Sequence, residues 1–275
     1  MAQAHLELQQ SFETLETEKA QMLQEKVQLE QALEALKQEN DKIQKEMEAL
    51  KEPVANQKTE TLKVSQNKTA YLTFDDGPSS NTIKILDILK KYEIKATFFV
   101  IGSETESSKK IYRRIVEEGH VIGNHTYSHN YNKIYASVEN FMEDIWKLEA
   151  LLEEVAGVKP KIIRFPGGSK NQASSRAGGK GLMADLITRL QEEGYQYFDW
   201  NVTSKDASAV TPDKEIIVRS VLEGIQGKKE AIILFHDNAP KTTTVEALPE
   251  IIEALLEKGY KFEVLSETSY YVHHR

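Results

Sequence analysis

The chain of 275 residues contains no cysteine. This absence excludes disulfide bonds, thiolate zinc sites and cysteine nucleophiles, so any bound metal must be held by histidine and carboxylate side chains. The sequence also has no run of about 18 apolar residues and no basic segment followed by an apolar one at its start, so it predicts neither a membrane span nor a signal peptide. A basic stripe is missing too, which argues against nucleic acid as a partner.

The length allows one full α/β domain and a smaller segment. The net charge of −8 is unevenly spread, because residues 1–52 contain six lysines and twelve acidic residues and so carry −6 of it. The remainder of the chain is nearly neutral, and the hydrophobic content of 40% is typical of a globular protein. An acidic segment followed by a nearly neutral domain is the first division that the sequence indicates.

Residues 1–52 predict a coiled-coil helix, because apolar residues recur at alternating steps of four and three. One seam position is apolar throughout, at Leu8, Leu15, Met22, Leu29, Leu36, Ile43 and Leu50. The other seam position includes Lys19, Lys26 and Asn40, and polar residues there favour a parallel two-stranded assembly. We expect a parallel homodimer through residues 8–50, with a rod about 65 Å long. The alternative is a single amphipathic helix packed on the remaining domain.

Pro53 ends this helix, because proline cannot donate a backbone hydrogen bond and constrains the residue before it. Residues 53–67 are polar and aperiodic, and we expect a linker there. In residues 68–275, short apolar runs alternate with helical patterns, which predicts a parallel sheet. The predicted strands are 69–74, 96–101, 120–123, 161–165, 195–200, 231–235 and 260–265, and the predicted helices are 81–92, 107–119, 138–156, 182–194, 213–226 and 244–259.

Two aspartates follow the apolar residues 70–74, at the end of the first predicted strand. Asp75 and Asp76 precede a Gly-Pro pair, and by itself such a stretch is typical of a turn whose carboxylates accept backbone hydrogen bonds. His125 and His129 change this interpretation, because two imidazoles four positions apart can face one point from a helical turn or a tight loop. One carboxylate and two imidazoles suit a zinc-like ion and leave the second carboxylate free. The pattern predicts a metal-assisted hydrolase.

At this point the chain resembles a known family, the polysaccharide deacetylase (NodB-homology, carbohydrate esterase family 4) domain. The resemblance rests on ordered blocks that span about residues 68–270 and says nothing of residues 1–67. These blocks are TFDDGP at 73–78, ATFFV at 96–100, HTYSH at 125–129, RFPGG at 164–168, WNV at 200–202 followed by Asp206, and IILFHD at 232–237.

The alternation of strands and helices fits an open doubly wound sheet as well as a barrel. The resemblance implies the barrel, a distorted (β/α)7 fold at residues 68–275. In such barrels the chemistry gathers at the carboxyl ends of the strands. Each block ends a predicted strand or follows shortly after one, so we expect the polar side chains of the blocks to converge.

The resemblance also implies a role for each of these side chains. Asp76, His125 and His129 are expected to bind Zn²⁺, or Co²⁺ or Ni²⁺ at the same site. Asp75 is then expected to be the general base. Geometry alone would allow the two aspartates to exchange these roles, so their assignment rests on the resemblance.

Three more residues are given roles by the resemblance. His236 is expected to be the general acid, Asp206 to hold its imidazole, and Arg164 to steer Asp75. Taken alone, the arginine has a surface position as its alternative, and the histidine has a structural role as its alternative. Residues expected at the oxyanion or the substrate are Tyr127, Pro166, Gly167, Trp200 and Leu234.

The sequence departs from the commoner family pattern at two positions. A tyrosine often follows the proline of the arginine block, whereas Pro166 is followed by Gly167 and Gly168. The backbone amide at 167 can still hold an oxyanion, but the aromatic side chain is missing. Likewise Ala207 stands where a tryptophan often follows Asp206. The polar and basic residues 169–181 are expected to form a mobile solvated insertion, or alternatively a flap over the polysaccharide.

We therefore expect a metal-dependent deacetylase that removes N-acetyl groups from N-acetylglucosamine residues of a cell-wall glycan, with peptidoglycan as the first candidate. Chitin oligomers and acetylated xylan are alternatives, and so is a surface scaffold that binds glycan without turning it over. The family resemblance implies an exported protein at the cell surface. Membrane anchoring is expected only if an upstream segment precedes this sequence.

Overall fold

The computed structural model describes residues 68–274 and four separate positions before them, which are Gln24, Lys37, Gln38 and Lys42. Apart from those four positions, the predicted coiled coil and linker lie outside the described residues. The division into residues 1–52, 53–67 and 68–275 and the parallel homodimer through residues 8–50 therefore stay predictions.

Eight strands form one sheet in which every pair of neighbours is parallel. Seven of them follow the order β5-β4-β3-β2-β1-β7-β6, and β8 pairs with the start of β1. The strands are β1 (Lys68–Asp75), β2 (Thr97–Val100), β3 (Val121–Asn124), β4 (Ile162–Ile163), β5 (Gln196–Tyr197), β6 (Val202–Thr203), β7 (Glu230–His236) and β8 (Tyr260–Phe262).

Helices connect these strands and cover the sheet. They are α1 (Ser80–Lys91), α2 (Glu106–Glu117), α3 (Tyr131–Ile134), α4 (Val138–Ala156), α5 (Ala173–Ala177), α6 (Leu182–Glu192), α7 (Lys214–Gly224) and α8 (Thr242–Glu257). The curled parallel sheet with its helices confirms the distorted (β/α)7 barrel. The sequence did not predict α3 and α5, because helices of four and five residues are too short to show a period. None of the helices in the described part of the chain has the length and apolar character that a bilayer span requires.

The predicted strand 195–200 is wrong in its extent, because the chain changes neighbours within it. Phe198 N still donates to Ile163 O of β4 at 2.9 Å, but Asn201 N donates to Ile232 O of β7 at 3.2 Å. Between them the C-terminal segment is inserted, with Asp199 N donating to Val272 O at 2.9 Å. The predicted strand is therefore shortened to β5, and β6 follows beyond the predicted end, on the other side of this insertion.

Strand β1 is the central strand of the sheet, and its residues from 69 to 75 are all buried. Phe74 lies between Phe98 of β2 and Phe235 of β7, with ring centroids 5.2 and 5.4 Å away. Offset stacking of this kind adds to the stabilisation from apolar burial. The register also pairs Asp75 with His236. The packing of the apolar residues thus fixes where the polar ends of β1 and β7 meet.

The longest helix, α4, shows how the local sequence sets the boundaries and the buried face. Ser137 caps its amino terminus by accepting a hydrogen bond from Asn140 N at 3.1 Å, as expected for an N-cap serine. Its buried side chains recur at helical spacing, at Phe141, Ile145, Leu148 and Leu152. Asp144 on this helix accepts a hydrogen bond from Ser128 N of the HTYSH block, so the packing of the helix holds that block against the sheet.

Candidate active site

The first predicted metal ligand lies just past the end of β1. Asp75 closes the strand and is buried, whereas Asp76 has a positive φ of 75° and turns away from the strand direction. A left-handed conformation is uncommon outside glycine, although aspartate tolerates it better than most residues. The turn places the two neighbouring carboxylates in different surroundings. The carboxylate of Asp75 is buried in the barrel, and that of Asp76 faces the histidines.

Asp76, His125 and His129 converge as predicted. Oδ1 of Asp76 lies 3.5 Å from Nε2 of His125 and 3.3 Å from Nε2 of His129. One ligand atom from each residue can be chosen so that all lie within 4.8 Å of one another. Among the described residues this is the one such group of three. Since Asp76 and His129 are partly exposed, the group is open to solvent on one side.

The two histidines reach this point from a tight loop rather than from a helical turn. Thr126 and His129 both have positive φ values, of 69° and 47°. Asn124 Oδ1 accepts from Thr126 N at 2.9 Å, and Thr126 Oγ1 accepts from His129 N at 3.2 Å. Asp144 of α4 accepts from Ser128 N at 2.7 Å. These side-chain hydrogen bonds hold a loop that local sequence preference alone would not favour.

The hydrogen bond of His125 determines which ring nitrogen is free. Nδ1 lies 2.7 Å from the carbonyl O of Arg164, and because a carbonyl oxygen only accepts, Nδ1 carries the proton. Burial lowers the pKa of His125 to about 3, so the ring is neutral near pH 7 and Nε2 holds a lone pair. This lone pair and the nearby oxygen of Asp76 are both electron-rich and suit a shared cation. The residues present therefore fit a divalent metal ion.

Arg164 is buried and lies beside Asp75, so it is not a surface arginine. Its Nη1 donates to Asp75 Oδ1 and to Thr73 Oγ1, both at 2.8 Å, and its Nε donates to Phe198 O at 3.0 Å. The guanidinium also lies over the ring of Phe99, with Cζ 4.2 Å from the ring centroid. Several fixed partners hold the group in one orientation, and that orientation fixes the carboxylate of Asp75.

Asp75 has two opposing influences on its pKa. Burial raises it, and the Arg164 guanidinium, followed by His236, opposes this rise. The net direction is upward. A carboxylate with a raised pKa holds a proton more readily than an exposed aspartate does, which suits a group that must accept one.

Asp206 and His236 form a second pair at the end of β7. His236 Nδ1 lies 2.8 Å from Asp206 Oδ1, and the His236 backbone N donates to Asp206 Oδ2 at 2.7 Å. Burial tends to lower the pKa of His236, but the hydrogen bond and charge of Asp206 outweigh it and raise the pKa to about 9. The same contact holds the pKa of Asp206 below its usual range despite burial. The imidazole is therefore protonated near neutral pH.

Two residues after His236, Asp237 and Asn238, also shape the site, although the sequence pattern assigns a role to neither of them. Asn238 Nδ2 donates to Asp76 Oδ2 at 3.2 Å. Asp237 is buried, accepts from Thr82 Oγ1 at 2.5 Å, and has its pKa raised to about 7 by burial. The available signal was their position directly after His236, where β7 ends.

The residues predicted at the oxyanion or the substrate lie in different surroundings. Gly167 is exposed with a φ of 77°, and Pro166 is buried with its carbonyl accepting from Tyr135 Oη at 2.8 Å. Leu234 is buried in β7. Trp200 is partly buried, and its ring packs edge-on against His274, with centroids 4.9 Å apart.

Tyr127 faces a different group of residues. Its hydroxyl donates to Glu104 Oε1 at 2.5 Å, and Lys147 Nζ lies 3.8 Å from its ring centroid. None of its described contacts is to the metal-binding group. A neighbouring aromatic residue that the sequence analysis did not single out, Tyr131, lies closer, with its ring 5.4 Å from that of His129. Burial, then Asp76 and Asp75, raise the pKa of Tyr131, so its hydroxyl stays protonated.

Residues 169–181 are more tightly held than a solvated insertion. Ser169 is buried, and its N and Oγ donate to Asp199 at 2.8 and 2.5 Å. Ser174, at the start of α5, is also buried, and its N donates to Asn171 Oδ1 at 2.8 Å. The first half of the segment is thus anchored to the barrel, while residues 175–181 are exposed.

The fold and the site together define an α/β-barrel hydrolase. Comparison with known proteins gives the family: the chain belongs to the polysaccharide deacetylases, and residues 63–182 match the polysaccharide deacetylase family model. A peptidoglycan-N-acetylglucosamine deacetylase of Bacillus cereus is 34% identical over 210 residues, which cover 75% of this chain and 72% of that protein. A bifunctional xylanase/deacetylase of Pseudobutyrivibrio xylanivorans is 36% identical over 73% of this chain, but only 30% of that protein is covered.

Among solved structures, the chain is similar to the catalytic domain of a peptidoglycan N-acetylglucosamine deacetylase from Eubacterium rectale. The TM-score is 0.72 with 37% identity, and the match covers 76% of this chain and 93% of the other. The similarity therefore extends through nearly the whole of that catalytic domain. The chain is a carbohydrate esterase family 4 deacetylase.

Proposed function

We propose that the protein is a metal-dependent deacetylase that removes N-acetyl groups from N-acetylglucosamine residues of peptidoglycan. One observation carries the proposal: the group Asp76, His125 and His129 lies beside Asp75, and Asp75 is next to His236 across the sheet. A metal-binding group, a candidate base and a candidate acid thus share one end of the barrel, where barrel enzymes carry their chemistry.

The proposed metal ligands are Oδ1 of Asp76 and Nε2 of each histidine. Three protein ligands leave a coordination position open, as catalytic zinc sites do. When bound, Zn²⁺ would lower the pKa of a water molecule and polarise the acetyl carbonyl. Two imidazoles and a carboxylate also accept Co²⁺ or Ni²⁺.

Asp75 is the proposed general base. Its Oδ2 lies 3.9 Å from Nε2 of His125, so it faces the metal-binding group, while its Oδ1 is held by Arg164. The carboxylate thus has one oxygen fixed and the other directed at the position where a proton must be taken from water. Arg164 acts as a positioning residue, because its contacts are to Asp75 and to the barrel wall.

His236 is the proposed general acid that donates a proton to the leaving amine. Asp206 binds the Nδ1 side of the ring, which leaves the Nε2 proton available to the substrate. The raised pKa, to about 9, keeps this proton in place at neutral pH until the carbon–nitrogen bond breaks. We further propose that the exposed backbone N–H of Gly167 helps to bind the oxyanion, and that Trp200, Leu234 and Pro166 border the sugar site.

Peptidoglycan is the favoured substrate because relatives named as peptidoglycan N-acetylglucosamine deacetylases match over most of this chain, including a catalytic domain that is covered almost completely. The match to a xylanase/deacetylase supports acetylated xylan as a second candidate. A peptidoglycan substrate places the protein outside the cytoplasmic membrane, so we propose that it is exported or held at the cell surface.

Acetate release tests both candidates. Metal-loaded protein is incubated separately with purified peptidoglycan and with acetylated xylan, and acetate and free amines are measured. Acetate and new amines from peptidoglycan support the proposal. Acetate from xylan alone would make acetylated xylan the substrate instead. Release from neither would contradict an enzymatic role and favour a glycan-binding scaffold. Elemental analysis of protein purified without added metal identifies the ion.

A further inference from the structure

The surroundings of Gly167 show that another side chain occupies the space beside it. A Cβ atom built at residue 167 would lie 3.1 Å from Oη of Tyr131 and 3.4 Å from its Cε1. The same atom would lie 3.2 Å from Cβ of Asn171. The separations of 3.1 and 3.2 Å are tighter than ordinary van der Waals contacts, so a side chain at 167 would require Tyr131 or Asn171 to shift by a few tenths of an ångström. The loop at 164–168 contributes backbone here, and α3 contributes the aromatic ring.

The ring of Tyr131 is held between the metal-binding group and the wall of the barrel. It packs edge-on against His129, with centroids 5.4 Å apart, and against Tyr135 on its other side, at 5.9 Å. Tyr135 is itself fixed by its hydrogen bond to Pro166 O at 2.8 Å. Edge-on aromatic contacts of this length are favourable. The ring is therefore positioned by packing and does not need its hydroxyl to stay in place.

The hydroxyl of Tyr131 is available to a ligand. No residue that the structure describes forms a hydrogen bond with it, whereas the hydroxyl groups of Tyr127 and Tyr135 are both bonded to protein oxygens. The tyrosine is partly buried, and its ring packs against His129 of the metal-binding group. A hydroxyl that a bound sugar covers needs a hydrogen-bond partner. The hydroxyl of Tyr131, next to the exposed backbone of Gly167, therefore suits an oxygen atom of a bound sugar.

We propose that Tyr131 determines glycan binding: its hydroxyl, which lies beside the backbone of Gly167, donates a hydrogen bond to the N-acetylated sugar unit whose acetyl group reacts. This inference rests on the proposed function and adds a residue to it. Tyr131 contacts the sugar and not the reacting atoms, so its loss affects binding rather than the chemical step.

The test compares Tyr131→Phe with a matched control, Tyr92→Phe. Tyr92 is a tyrosine outside the site whose hydroxyl bonds to Glu253 on α8. Acetate release from a tetramer of N-acetylglucosamine is measured with metal-loaded protein. We expect Tyr131→Phe to raise KM about five- to tenfold, the size of one neutral hydrogen bond, with kcat within about twofold. Metal content and melting temperature should match the unmodified protein, and Tyr92→Phe should leave both kinetic constants unchanged.

A binding measurement separates failure of this inference from failure of the proposed function. Calorimetry with the same tetramer compares the single variant Asp75→Asn with the double variant that also contains Tyr131→Phe. Both variants lack the proposed general base, so the ligand stays intact. We expect the second substitution to weaken binding by the same five- to tenfold factor, about that of one hydrogen bond. An unchanged affinity would overturn the role of Tyr131. Absence of acetate release by the unmodified protein from both the tetramer and peptidoglycan, with binding that still depends on Tyr131, would overturn the hydrolase alone. A fall in kcat with constant KM would also refute sugar binding.

Discussion

Arg164 donates from one nitrogen, Nη1, to both Asp75 and Thr73, at 2.8 Å in each case. Arg164 and Asp75 are both buried, and the pair joins the end of β4 to the end of β1. A buried ion pair stabilises a fold only weakly compared with an apolar pair, but removing one partner leaves the other charge buried and unpaired. The pair therefore couples the stability of the barrel to the position of the carboxylate that we assign as the base.

Replacing Arg164 by leucine should destabilise the protein by about 3–5 kcal/mol, because Asp75 would lose its buried counter-charge. Thermal and urea unfolding measure the loss. Arg164→Lys keeps the charge but not the planar set of donors, and we expect an intermediate effect. Equal stability of all three proteins would show that the pair contributes nothing to the fold.

Asp75→Asn should abolish turnover, by at least about 100-fold, while metal content stays the same. Asparagine fits the same space but cannot accept a proton from water. Acetate release and elemental analysis are measured on the same preparation. Loss of metal from Asp75→Asn, with metal retained by Asp76→Asn, would exchange the roles of the two aspartates.

His129→Ala should lose the metal, because the partly exposed imidazole supplies one of three ligands. Elemental analysis after dialysis tests this, and added Zn²⁺ should restore activity only at high concentration. His120→Ala is not a suitable control because His120 is buried in the core. His273, at the C-terminal segment, offers a histidine outside the ligand group, and His273→Ala should retain the ion.

Asp206→Asn should move the alkaline limb of the activity profile to lower pH. A general acid works while it is protonated, so activity falls as pH rises through the pKa of His236. Asp206 is the main group that raises this pKa to about 9 against the effect of burial, and asparagine removes its charge. The pH dependence of kcat/KM measures the shift. A shift to higher pH would contradict the assigned role of Asp206.

Deleting residues 1–55 should leave acetate release from a soluble oligosaccharide unchanged, because every proposed site residue lies between positions 75 and 238. The same deletion should convert a dimer into a monomer if residues 8–50 form the predicted parallel coiled coil. Light scattering at micromolar concentration compares the two proteins. A full-length protein that is already monomeric would refute the dimer.

The sequence by itself determined the alternation of strands and helices and the residues of the metal-binding group. Both depend on local patterns: apolar runs separated by amphipathic segments give parallel strands, and Asp76, His125 and His129 lie in short motifs at strand ends. Such patterns are readable because the period of each element and the carboxyl-end position of the chemistry follow from backbone geometry.

The tertiary structure decided what depends on contacts between distant residues. It ended the predicted strand 195–200 early, at β5, because the C-terminal segment hydrogen-bonds to Asp199 between β5 and β6. It placed Tyr131 in the space beside Gly167, and Asn238 on the carboxylate of Asp76. No local pattern encodes these neighbours, since each arises only when the curled sheet brings loops from separate strands to one end of the barrel.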